Sequence, residues 1–161
     1  MEKKNYEGFS LSLALVDALP VLFFGTATLL AALKLRSAFF VLGAVLCTLA
    51  GLGKVTWKII LAAAKKDVAF LKWQLRIIMP PGFVLLILGA IKSIGENRKE
   101  VLSLVLSFPS VMFFSVTALG MVLMCVFAVT LDQSKARSNW IEQITNAVSQ
   151  CCFLLGVCFC L

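Results

Sequence analysis

Between Val101 and Leu131 the chain runs for 31 residues without a charged side chain. A single water-soluble domain has one core, and each helix packed on it turns a polar face outward, so a chain of 161 residues has no place for such a segment in water. Similar runs recur. Phe9 to Leu33 is interrupted only by Asp17 and Pro20, Ala38 to Gly53 and Ile77 to Ile91 carry no charge, and Gln143 to Leu161 is uncharged to its last residue. With 61% hydrophobic and 14% charged residues, lipid is the better solvent for this composition. The sequence predicts one all-α integral membrane domain over residues 1–161, a polytopic helix bundle.

A crossing of a ~30 Å hydrocarbon core needs about 20 helical residues. On that scale five spans are predicted, at 9–33, 38–64, 77–91, 109–131 and 143–161. The first stretch is too long for a signal-peptide core and contains an acidic residue, so it reads as an uncleaved span. Lys34 to Ser37 forms a short hairpin, with Ser37 placed to cap the second helix, which continues through Lys54, Trp57 and Lys58. Pro80-Pro81-Gly82 predicts a Pro-broken third span, reached through an interfacial amphipathic segment from Val68 to Arg76. Pro109 divides the longest uncharged run into an interfacial part and the fourth span.

Lysine and arginine set the orientation. Ten of them fall on the side of the N-terminus and five on the other, or eight against five without Lys54 and Lys58, which predicts a cytoplasmic N-terminus and an external C-terminus. The formal net charge is +7, but the basic residues sit in short loops, which argues for anionic lipid head groups as partners and against nucleic acid.

Asp17 is the most informative single residue, because a carboxylate inside a span is costly unless paired or functional. It lies roughly 12 Å along the helix from the cytoplasmic end, and Lys54 roughly 15 Å from the same face on the antiparallel neighbour. Lys58, one turn nearer the cytoplasm, shares a helix face with Lys54 and is a second candidate partner. Arg76, and Asn146 and Gln150 on one face of the fifth span with Ser149, fall at a similar depth, near the proline-interrupted segments. Asp17, Lys54, Lys58, Arg76, Asn146 and Gln150 form the candidate ligand-binding set. The plainer alternative is a packing pair at Asp17, snorkelling lysines, and amides that join helices by hydrogen bonds. Lys54, Lys58, Lys65 and Lys72 would make one basic stripe if their helix were continuous.

No catalytic set accompanies these residues. Histidine is absent, which removes the usual haem, zinc and non-haem iron ligand, so no metal or cofactor is expected. The six cysteines contain no C-x-x-C, and Gly51-Leu52-Gly53-Lys54 lacks the spacing and the Ser/Thr of a phosphate loop. The sequence therefore points away from an enzyme. It suggests transport or permeation of a small anion or amphiphile through an inner-leaflet polar site, in an oligomer. The alternatives are a non-catalytic subunit or scaffold of a larger membrane complex and, third, an enzyme acting on lipids or isoprenoid phosphates.

Overall fold

The structure is a computed structural model that describes residues 10–96, 98–132 and 135–161. Every regular element among them is helical: α1 (Leu11–Val16), α2 (Ala18–Leu35), α3 (Ala38–Ala64), α4 (Ala69–Glu96), α5 (Arg98–Leu106), α6 (Ser110–Thr130) and α7 (Ala136–Cys158). Four helical stretches are long and apolar enough to cross a membrane: Leu11–Leu35, which joins α1 and α2, then α3, α4 and α6. The expected start of the first span at Phe9 lies outside the described residues.

Local chemistry sets the helix ends. Ser10 and Ser37 cap α1 and α3, each side-chain oxygen accepting from the backbone N–H three residues on. Arg36 and Lys65 close α2 and α3 in the left-handed region, at φ 47° and 51°, and their N–H groups return to Ala32 and Leu61. Trp57 Nε1 donates to Asp67 Oδ1 at 2.8 Å and so ties the α3–α4 turn to α3. At the opposite end of the bundle Ser93 Oγ donates to the Leu35 carbonyl at 2.8 Å, satisfying one of the acceptors that the last turn of α2 leaves open.

Two sequence expectations change here. Residues 69 to 96 are helical throughout, with Pro80 and Pro81 inside α4, so the interfacial segment and the third span are one helix. Each proline removes a single donor, and within a long apolar helix the remaining ladder and the packed neighbour α3 hold the rest. The basic stripe is also interrupted. The left-handed Lys65 ends α3, so Lys54 and Lys58 share a helix while Lys65 lies past its end.

In lipid, helices gain little from burying apolar surface against one another, and close backbone approach takes over. Here α3 runs antiparallel to both α2 and α4 along rows of small residues. A methyl group placed on Gly43 would lie 2.6 Å from the Gly82 carbonyl oxygen and from the Leu86 amide nitrogen. Gly82 faces Cys47, Gly89 faces the Phe40 backbone, Gly25 faces Thr48 and Gly51 faces Val21. The Thr48 hydroxyl donates to its own helix at Ala44 O (2.7 Å), so it can sit in an apolar contact without an open donor. Ala32, Phe40, Ala44, Cys47 and Leu86 form the buried core of this three-helix unit.

Helix α6 packs chiefly on α7, which runs antiparallel to it, with Phe113 stacked on Phe159 and Gly120 against Ser149. Phe24, Phe114 and Phe153 make the aromatic contacts that bring α2, α6 and α7 together. Along its whole length α6 buries only Ser110 and Gly120.

The crossing of α3 and α4 yields a direct test. Gly43→Val forces a side chain into backbone atoms and is expected to cost at least about 1–3 kcal/mol. Gly95→Ala, where nothing lies within 4 Å, should instead raise stability by about 0.5–1 kcal/mol. Unfolding of the purified protein in graded sodium dodecyl sulfate, followed by circular dichroism, reads both.

Candidate functional site

The first transmembrane stretch is interrupted at Asp17, and Pro20 supplies the reason. Proline at position 20 has no N–H for the Val16 carbonyl and its ring crowds that group, so the helix breaks one residue later. Asp17 sits at the break with φ −63° and ψ −18°, its N–H bonded to Leu13 O. Its carboxylate makes no capping bond to α2. It reaches across to α3, where Lys58 Nζ lies 2.9 Å from Oδ2.

Both members of the pair are buried, at 3% and 7% exposure. Taking two charges out of water is expensive, and attraction offsets the cost only at short range with good geometry. Lys58 stays near Asp17 because α2 and α3 approach closely at Val21–Gly51, one turn from Asp17 on α2 and two turns from Lys58 on α3. Lys54, half-buried and one turn away on α3, and Glu142 on α7 both lie within electrostatic reach of the Lys58 ammonium. The Asp17–Lys58 pair thus sits where α1 packs against α3 and α7, with Lys54 and Glu142 the nearest further charges that influence Lys58. Asn139 and Gln143, on the same first turns of α7 as Glu142, are buried, and Gln143 Oε1 has no hydrogen-bond partner among the described residues.

The other predicted site residues separate from this cluster. Arg76 is exposed on α4, its guanidinium carbon 6.0 Å from the centre of the Trp73 ring, in a contact within its own helix. Gln150 is buried and donates from Nε2 to Met121 Sδ at 3.7 Å, which ties α7 to α6. Ser149 belongs to the same seam: its hydroxyl donates to Thr145 O at 2.7 Å, and its carbonyl accepts from Thr117 Oγ1 at 3.2 Å. Asn146 is half-buried on α7. The seam is helix-to-helix adhesion of the kind amides and hydroxyls supply in membranes.

Glu142 and Gln143 escape a reading by sequence as site residues: it leaves Glu142 at the end of a polar loop and Gln143 as the first residue of the last span. Their signal was present as spacing: Asn139, Gln143 and Gln150 recur at four and seven residues, one face of a helix that starts at Ala136.

Comparison with known proteins adds one match. The family described as a protein of unknown function, DUF2768, matches over residues 111–160, which is the α6–α7 hairpin and under a third of the chain. No curated protein and no solved structure matches. The matched segment includes Glu142 and Gln143 but neither Asp17 nor Lys58.

The ion pair can be weighed by removing its partners singly and together. Asp17→Asn leaves a buried, uncompensated ammonium and is expected to cost about 3–5 kcal/mol. Adding Lys58→Met to that variant should restore most of the loss, because an apolar side chain has no charge to desolvate. Detergent-unfolding midpoints of the two single variants and the double variant close the cycle.

Proposed function

We propose that this chain is a small transport or permeation protein of the membrane, which handles a small anion or the anionic head of an amphiphile at the Asp17–Lys58 site. The observation that supports the reading is a buried lysine on α3 paired with Asp17, which sits at the α1–α2 junction. Lys54 supplies a second cation one turn away, so an incoming anion can share the Lys58 ammonium while Asp17 remains as the internal counter-charge. In this reading α7 is a fifth span. It runs parallel to α2, antiparallel to α6, and in contact with both over most of its length. With five spans, the distribution of basic residues sets the N-terminus in the cytoplasm and the C-terminus outside, and the site in the inner leaflet, where Lys65 and Lys66 attract anionic lipid.

Flux of radiolabelled phosphate and octanoate into proteoliposomes tests the proposal. Lys54→Ala leaves the buried pair in place, so the fold is expected to survive while flux falls about tenfold or more. Unchanged flux in that variant, or no flux of either probe above empty vesicles, would refute it.

A second reading is favoured by α6, which packs on α7 along one side and leaves most of its apolar residues exposed. A non-catalytic subunit or scaffold of a larger membrane complex would present such a helix to its partner. Native mass spectrometry of the chain released gently from its own membrane separates the readings. A homo-oligomer agrees with transport, and a fixed-stoichiometry complex with a different chain, without flux, agrees with the subunit.

A further inference from the structure

At the end of the bundle remote from Asp17, α2, α4, α5, α6 and α7 leave a cavity of about 230 Å³ between them. Its wall is hydrocarbon throughout its depth, from Ala31 on α2 through Leu104 and Val105 on α5 to Phe153 and Val157 on α7. Lys34 is the one charged side chain among the residues that line it. That lysine is half exposed and holds Glu100 at 3.7 Å, a loose contact that leaves the ammonium open to another anion.

Helix α5 closes one side. Val101, Leu104 and Val105, at i, i+3 and i+4, face the cavity, yet no residue of α5 is buried. The wall is therefore a short amphipathic helix laid over a void rather than packed into it. The pocket is open on one side, and at about 230 Å³ with an apolar wall it has room for a hydrocarbon chain to enter from that side. A polar ligand would find nothing to bond inside. The helix ends on this side of the bundle carry Lys34, Arg36, Lys92, Arg98 and Lys99 against Glu96 and Glu100, an excess of positive charge, of which Lys34 reaches the pocket.

We infer that this cavity is a binding site for one alkyl chain of a single-chain anionic amphiphile, with the chain among Ala31, Leu104, Val105, Phe153 and Val157 and the head group on Lys34 in place of Glu100. The inference concerns the end of the molecule opposite the Asp17–Lys58 site and does not depend on transport. The volume admits one chain, the lining selects hydrocarbon, and the lysine at the rim selects the charge of the head.

Photolabelling of the full-length protein in phosphatidylcholine nanodiscs tests it, with diazirine-bearing laurate, the matching alcohol and a diazirine-bearing phosphatidylglycerol as probes. Laurate should label the cavity wall about tenfold above the lipid-facing residues Leu119 and Val122 of α6. Ala31→Phe fills the space and should remove that label. Lys34→Gln should lower laurate labelling several-fold, by about 3–10, and leave the alcohol unchanged. Should Ala31→Phe fail to fold, Val105→Trp fills the same space from α5, on which no buried packing depends. Label spread evenly over the outer surface, label insensitive to both filling variants, or phosphatidylglycerol displacing laurate from the cavity would each overturn the inference.

Discussion

The close backbone approach of α3 to α2 on one side and α4 on the other is the constraint on which the remainder of the molecule rests. Lipid removes the usual hydrophobic reward for bringing helices together, so dispersion between well-fitted surfaces must suffice. Gly25, Gly43, Gly51, Gly82 and Gly89 remove the side chains that would hold the axes apart. Once the axes are this near, Phe40, Cys47 and Leu86 have defined places, and the hydroxyls at the seams turn back on their own helices.

The same approach governs the charge pair. A carboxylate and an ammonium in an apolar surrounding attract strongly only at contact distance. Asp17 meets Lys58 because Val21 and Gly51 bring α2 and α3 together within two turns of the pair. The break at Asp17 further frees the carboxylate from its own helix. Helix α7 then carries Glu142 within electrostatic reach of Lys58, an influence that neither α2 nor α3 encodes. The α6–α7 hairpin joins the bundle through α7, which packs on α2 with Phe24 against Phe153, while α6 stands outside; the alkyl-sized pocket lies between this hairpin and α5.

Much of this was legible residue by residue. The bounds of α3, the cap at Ser37, and a partner for Asp17 on the second helix all follow from spacing and the cost of an isolated charge. That the partner is Lys58 rather than Lys54 is a matter of about one helical turn, finer than arithmetic along two axes resolves. The Pro80-Pro81 break was an inference from local chemistry that the continuous helix α4 overrode. The basic stripe was conditional on a helix running past Ala64, and the left-handed Lys65 ends α3 there, at the bound that the span 38–64 already gave. Gln150 fell in the amide seam because a helix face names a direction but not the neighbour that occupies it.

The sequence by itself determined that this is a helical membrane protein, where its long apolar segments lie, and that Asp17 needs a partner. Those properties are set by the solvent each segment tolerates and by the energy of a lone charge, which depend on residues within a turn or two of one another. Tertiary structure alone decided that Lys58 takes the pair, that α7 carries Glu142 within electrostatic reach of it, and that a hydrocarbon pocket opens beside α5. Each of these depends on the distance between helices far apart in the chain, and that distance is set by which glycine meets which side chain.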